Sequence, residues 1–139
     1  MVSIVTRPST VSASLDEDGK ASVEAHSGAK LALASMARDE GMTPLELMDA
    51  ALAGCLVLSV RIAARKAGWH ARLTGVKVDV THIKAEDAPS RVGEFTCDFQ
   101  IDGDFSAEEH QQLIDEAHAI CTVGNTLAQS PKITDVEAK

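Results

Sequence analysis

The segment from Thr43 to Gly68 constrains the fold more than any other part of this 139-residue chain. Thr43 and Glu46 have the spacing of a capping box, and Pro44 stands where a helix would place its first residue. Gly68 can end a helix in the left-handed conformation. These signals predict one helix of about 24 residues and about 36 Å. Its middle, Ala50–Val60, is almost wholly aliphatic or small, so we expect that helix to be buried on all sides.

Length and composition limit what surrounds the helix. We expect a single domain over residues 1–139, because this length buries a sizeable core in one unit. The net charge is −8 and 3% of the residues are aromatic, whereas a nucleic-acid-binding protein typically has a basic surface. The apolar run of the helix is shorter than the roughly 20 residues that cross a bilayer. Three cysteines without a signal-peptide pattern indicate a reducing compartment, so we expect a cytoplasmic protein without membrane contact.

Alternating apolar residues predict strands on both sides of the helix, and hence an α+β fold. Ser106 and Glu109 form a second capping box, which predicts a helix up to about Cys121 that Gly124 breaks. The predicted order is β(3–4)-α-β-β-α-β. Its strands are Val2–Thr6, Thr10–Leu15, Ala21–Ala25, Lys30–Ala34, His70–Ile83, Val92–Asp102 and Lys132–Glu137, with a short helical turn at Asn125–Gln129.

The long helix also predicts an oligomer. A small sheet covers only one side of an apolar helix, and the small residues around Gly54 allow another backbone to approach closely. Two such helices packed together and wrapped by the sheets of both chains would bury every face. We therefore expect an intertwined homodimer.

The three cysteines are the main candidates for chemistry. Cys97 lies on the apolar side of an alternating strand, so a buried small side chain explains it. Cys55 lies in the middle of the predicted long helix, and Cys121 lies at the end of the second. A disulfide between them requires Cα atoms within about 7 Å, which the sequence does not test.

The remaining polar residues give weaker signals. His118 and Cys121 have an i, i+3 spacing that could share a metal, but no second such pair accompanies them, so we expect no metal. We also expect no cofactor, since the sequence contains no phosphate-binding loop, and Ser59 stands outside any nucleophile elbow. The capping box with Thr43 gives Glu46 a structural role, so we do not interpret it as a catalytic partner of Cys55. Four other histidines occupy polar positions and are interpreted as solvated: His26, His70, His82 and His110.

Two segments carry a family resemblance. Thr43–Leu47 followed by Ala50–Cys55 resembles the x-P-x-E-L-L-x-A-A-L-A-G-C signature of the OsmC/Ohr family, the osmotically induced and organic-hydroperoxide-resistance proteins. Cys121–Leu127 is similar to its second signature, C-P-V-x-x-T-L, and the 66 positions from Cys55 to Cys121 match as well. The resemblance implies an intertwined α+β dimer with interface active sites. It also implies thiol-dependent reduction of organic hydroperoxides, with Cys55 attacking the peroxide and Cys121 resolving.

Two positions depart from the peroxidases of that family. The carboxylate found ten residues before the reactive cysteine is replaced here by Leu45. The arginine that partners this cysteine comes from the segment before the helix, where this chain has Arg7 and Arg38. We expect Arg38 to be the partner, because it lies in the loop leading directly to the helix.

Two functions follow from these features. The first is a cysteine peroxidase that acts on organic hydroperoxides and is reduced by a dithiol, either a lipoyl group or a small thiol. The second is a non-catalytic protein of the same fold that binds a small lipophilic ligand in the dimer cleft. Leu45 in place of a charged residue favours the second, and the paired signatures favour the first.

Overall fold

The structure is a computed structural model that describes residues 7–136. The chain forms two compact units, which divide between Met48 and Asp49. The elements are β1 Val11–Leu15, β2 Ala21–Ala25, β3 Lys30–Leu33, α1 Pro44–Lys66, β4 Leu73–Lys84, β5 Val92–Gly103, α2 Ala107–Ile120 and α3 Thr122–Leu127. The α+β class predicted from the sequence is confirmed.

The first unit contains an antiparallel sheet in the order β1-β2-β3. A tight turn joins its first two strands, because one Asp16 carboxylate oxygen accepts hydrogen bonds from the amides of Asp18 and Lys20 at 3.0 and 2.8 Å. Gly19 completes the turn with a φ of +81°, a conformation that favours glycine. The three strands predicted over this sheet are confirmed, and the predicted strand Val2–Thr6 lies outside the described residues.

Helix α1 begins and ends where its caps predict. The Thr43 hydroxyl accepts from the Glu46 amide at 3.1 Å, and the Glu46 carboxylate accepts from the Thr43 amide at 3.2 Å. At the other end Gly68 has a φ of +79°, and the Trp69 amide donates to the Ala64 carbonyl at 2.7 Å. These bonds satisfy backbone groups that the helix ends would otherwise leave free. Capping chemistry therefore defines the 23-residue helix.

The second unit contains the hairpin β4–β5, whose apolar side chains face the core. Val78 and Ile101 are buried there, while Lys77, Asp79 and Gln100 are exposed, as the alternation predicted. One core cluster joins Val60, Ala63 and Ala64 of α1 to Leu113 and Ala117 of α2. A second cluster, nearer the start of α1, holds Leu52, Leu56, Val78 and Cys121. The helix thus lies across the hairpin, with its core side shared between two clusters.

The sequence predicted that α1 is buried on all sides, but within one chain only one face of the helix is buried. Leu56 and Val60 are fully buried, whereas Leu58 and Ile62 are 51% and 49% exposed. By length and composition α1 could also cross a membrane, contrary to the expectation based on its shorter apolar run. In this fold it is the core helix of the domain. Its exposed apolar stripe, Gly54, Leu58 and Ile62, repeats every four residues along one side.

The C-terminal part of the described chain corrects two predictions. Cys121, with ψ at 102°, separates α2 from α3, and Gly124 lies inside α3 instead of breaking a helix. The predicted strand over Lys132–Glu137 is wrong for residues 132–136, which form no strand. Four exposed residues, Gln129–Lys132, precede Ile133 and Val136, and both apolar side chains are themselves over 90% exposed. Within the described residues no neighbouring strand pairs with this segment.

Candidate functional site

Cys55 lies at the edge of the buried face of α1. Leu52 precedes it by one turn, Leu56 follows it directly, and both are buried. The Cys55 side chain is half-buried and packs against the second core cluster. Small and aliphatic neighbours therefore keep most of its surroundings apolar, although the residue is not fully buried.

Cys121 occupies the junction between α2 and α3, and its side chain is fully buried. Its Sγ acts as the N-cap acceptor of α3, taking a hydrogen bond from the Gly124 amide at 3.3 Å. A Cβ on Gly124 would lie 3.3 Å from this sulfur, so the glycine leaves little spare room beside it. The cap fixes the position of the thiol relative to the first turn of α3.

The two thiols that the sequence singled out lie together. Cys55 packs against the core cluster that contains Cys121, and each thiol influences the pKa of the other. Both are free thiols. Residues separated by 66 positions in the sequence thus form one pair in the fold.

The surroundings give the two thiols opposite pKa shifts. Burial raises the pKa of Cys55, but donors outweigh it and lower the pKa overall: the Val123 amide first, then the Cys121 thiol, the Ser59 hydroxyl and the Thr122 amide. For Cys121 burial raises the pKa, and donation to Cys55 raises it further, against a smaller opposite effect of the Gly124 amide. Hydrogen bonds to a charged form stabilise it. Cys55 is therefore the better thiolate, and Cys121 is the proton-bearing donor.

Cys97 differs from this pair in its surroundings. It faces the same cluster from β5, as the alternation predicted, and burial alone raises its pKa. Among residues 7–136 burial is the one cause of this shift, so Cys97 behaves as a small apolar side chain.

A second polar pair lies on the core side of α1 and was missed from the sequence. The His82 Nδ1 lies 2.5 Å from Asp49 Oδ2, and the two side chains are 26% and 17% exposed. The other carboxylate oxygen of Asp49, Oδ1, is buried and has no hydrogen-bond partner among the described residues. His82 was interpreted as solvated, which is wrong. It follows Val80 by two residues and so continues the core-facing side of β4, a signal that the alternation contained.

The family model for OsmC-like protein matches residues 37–135, which include both cysteines and α1. The chain belongs to the OsmC family. A search of curated protein sequences gives no significant match.

Solved structures of OsmC-family proteins share the fold. An OsmC-like protein from Mycoplasma pneumoniae superposes with a TM-score of 0.78 at 19% identity, covering 91% of each chain. An organic hydroperoxide resistance protein OsmC from Legionella pneumophila gives 0.70 at 21% identity, again covering 91% of each chain. A third, an organic hydroperoxide resistance protein from Elizabethkingia anophelis, gives 0.71 at 19% identity over 91% of this chain and 93% of that one.

Arg38 and Leu45, which the family resemblance brought into consideration, lie in the first unit. Arg38 is exposed in the loop between β3 and α1, next to Asp39, whose carboxylate accepts from the Ser35 and Met36 amides at 3.1 and 2.9 Å. Leu45 is half-buried in the first turn of α1, and Glu46 is engaged in its cap. The pairing of Arg38 with Cys55 stays a prediction.

Among residues 7–136, no three His, Cys, Asp or Glu side chains come together as a metal site would require. His118, which shares a helix with the segment before Cys121, packs its ring against Phe99 at 5.4 Å between centroids.

Proposed function

We propose that this protein is a thiol-dependent organic hydroperoxide reductase in which Cys55 attacks the peroxide and Cys121 resolves the product. The observation that carries the proposal is the polarity of the pair. Cys55, whose pKa is lowered, packs in one cluster with Cys121, whose pKa is raised. A peroxidase needs this division, because the thiolate is the nucleophile and the second thiol must remain protonated until it is used.

The first step is a two-electron oxidation of sulfur. The Cys55 thiolate attacks the terminal oxygen of R–O–OH, the O–O bond breaks, and an S–O bond forms. The alkoxide takes a proton and leaves as the alcohol, while Cys55 becomes a sulfenic acid. The amides of Val123 and Thr122, which lower the pKa of Cys55, would support the negative charge at this position.

The second step is condensation of the two cysteines. Cys121 attacks the sulfenic sulfur, an S–S bond forms, and water leaves with the sulfenic oxygen. The packing of both side chains in one core cluster supports this step, since it keeps the resolving sulfur near its target. A dithiol then reduces the disulfide, leaving both cysteines as thiols and the dithiol as its own disulfide.

The lining of the cluster favours an apolar substrate. Leu56, Val57 and Phe95 belong to the apolar cluster that surrounds the pair. Alkyl and fatty-acid hydroperoxides gain from burial in such surroundings, and hydrogen peroxide does not. The reductant proposed is a lipoyl group or a small thiol, and the proposed location is the cytoplasm.

Arg38 is proposed as the cation that faces Cys55 in the working enzyme. A guanidinium beside the sulfur would lower its pKa further and would bind the peroxide oxygen. Leu45 leaves that arginine without the carboxylate found in related peroxidases, so its placement would depend on other contacts.

A second copy of the chain is proposed to cover the exposed side of α1. Leu58 and Ile62 present apolar surface there, and Gly54 offers no side chain, so two helices can approach closely. Exposed apolar residues of this kind, repeated along one face, mark an association surface. The proposed dimer buries the stripe, and the single domain over residues 1–139 is proposed as its protomer.

Peroxide consumption with a dithiol reductant tests the function. The wild type should turn over cumene hydroperoxide with dihydrolipoamide, and Cys55→Ser should abolish turnover because the nucleophile is gone. Cys121→Ser should consume one equivalent of peroxide and then stop turning over, because the dithiol cannot reach the sulfenic acid that remains on Cys55. Cys97→Ser is the matched control and should retain turnover.

Equal consumption by the wild type and Cys55→Ser would contradict the proposal. So would a wild type that consumes no organic hydroperoxide and carries an apolar molecule in native mass spectrometry. That second result would instead support the lipophilic-ligand function.

A further inference from the structure

Ser59 is the buried polar side chain in the core of the described residues. It is 4% exposed, and its neighbour Val60 and the preceding turn residue Leu56 are fully buried. Ser59 follows Cys55 by four positions on α1, which places the two side chains next to each other on one face of the helix. The hydroxyl therefore lies beside the sulfur, within an otherwise aliphatic stretch.

A hydroxyl in this position requires a partner, because burying it without a hydrogen bond is unfavourable. Serine and threonine in helices often donate to the carbonyl four residues earlier, as Thr126 does to Thr122 at 2.7 Å. The side chain one turn earlier on this face is that of Cys55, and the Ser59 hydroxyl acts to lower the pKa of that thiol.

We propose that Ser59 is a positioning residue for Cys55, whose hydroxyl holds the sulfur from the helix side while the amides of α3 hold it from the opposite side. The proposal rests on Cys55 being the reactive thiol of the proposed function. It adds a residue that the family resemblance did not identify, since Ser59 lies outside both signatures.

Ser59 differs from Cys121 as a donor in one respect. The Cys121 thiol can donate to Cys55 only while it carries its proton, and it loses that proton when it attacks. A serine hydroxyl keeps its proton throughout the ordinary pH range. Ser59 therefore provides a donor at Cys55 that persists through every step of the cycle.

The pH dependence of alkylation at Cys55 tests this role. Iodoacetamide reacts with the thiolate, and peptide mapping by mass spectrometry separates labelling at Cys55 from labelling at the other two cysteines. In Ser59→Ala the midpoint of the pH profile should move upward. The rate at pH values below the midpoint should fall roughly tenfold, the loss expected for one hydrogen bond to a charged group. Ser59→Thr keeps the hydroxyl and should retain the wild-type midpoint.

Ala63→Gly is the matched control. Ala63 is 3% exposed and lies one turn beyond Ser59 on the same face, so the variant loosens the same core without removing a donor. Its midpoint should equal that of the wild type. Thermal melts of each variant confirm that folded protein is being labelled.

A wild-type midpoint in Ser59→Ala would overturn the proposal, and so would a Ser59→Thr profile that matches Ser59→Ala. The result stands apart from the peroxidase assay. A shifted midpoint with no peroxide turnover in the wild type would keep Ser59 in its role and remove the proposed function. An unshifted midpoint with normal turnover would remove the proposed role of Ser59 and keep the proposed function.

Discussion

At the scale of single residues, hydrogen bonds decide which ionisable groups are unusual. Cys55 and Cys97 share one cluster, yet donors lower the pKa of the first and burial raises that of the second. Hydrogen bonds also shift the pKa of Glu109, and there the shift is large. The Arg72 guanidinium, donating at 2.7 and 2.9 Å, and the Ser106 amide lower its pKa from 4.5 to about 2. Arg72 also lies over the Phe105 ring at 4.7 Å, so it joins the end of β5 to the start of α2.

The depressed pKa of Glu109 predicts an acid-dependent contribution to stability. The folded state holds the carboxylate more strongly than the unfolded chain does, so the contribution is fully present above pH 4.5 and is lost as the pH falls toward about 2. Glu109→Gln should therefore flatten the fall in the urea midpoint over this range. Glu108→Gln, an exposed neighbour, is the control and should follow the wild type. A slope in Glu109→Gln as steep as that of the wild type would contradict the assignment.

At the scale of elements, helix α1 is attached to the hairpin by both apolar packing and one polar contact. Leu52 and Leu56 pack against Val78 in the cluster that holds the cysteines. Nearer the helix start, Asp49 bonds to His82 of β4. Partly buried charge-assisted bonds of this kind are stronger than surface ion pairs. The contact helps to fix the part of α1 that precedes Cys55.

A double-mutant cycle measures that attachment. Asp49→Ala and His82→Ala, alone and together, should give a coupling of roughly 1–2 kcal/mol in the free energy of unfolding. Lys77 and Asp79 form the comparison pair on the same strand. They lie 3.4 Å apart but are 67% and 60% exposed, so their coupling should stay below about 0.5 kcal/mol. Equal couplings for the two pairs would show that burial of the Asp49–His82 contact contributes nothing.

At the scale of the whole molecule, the sequence predicted most elements because their signals are local. Capping boxes defined the starts of both long helices, and alternation defined β4 and β5. The predicted C-terminal strand failed because a short β-like run forms a strand only where a neighbour pairs with it. His82 was missed for a related reason, since its partner Asp49 became visible only once α1 and β4 were brought together. Ser59 was missed although it follows Cys55 by four positions on α1, because the sequence does not show that this residue is buried.

The proposed dimer makes Gly54 a sensitive position. A Cβ on Gly54 meets no atom within 4 Å in the chain, so Gly54→Leu would be tolerated by an isolated protomer and would even favour the helix by about 1 kcal/mol. In a dimer with close helix contact it should instead overpack both copies, at roughly 1–3 kcal/mol each. We expect a lower melting temperature and a shift to monomer or aggregate in sedimentation. A wild type that sediments as a stable, well-folded monomer at micromolar concentration would refute the dimer.

The central claim is that Cys55 and Cys121 act as one redox pair, and stoichiometric oxidation tests it most directly. Reduced protein is treated with one equivalent of cumene hydroperoxide, quenched with an alkylating agent, digested without reductant and mapped by mass spectrometry. The expected result is a pair of peptides joined by a Cys55–Cys121 disulfide, with a mass lower by two hydrogens than the two reduced peptides together. One equivalent of alcohol should be released, and Cys97 should be alkylated. Protein that leaves all three cysteines alkylated and the peroxide unconsumed would contradict the account.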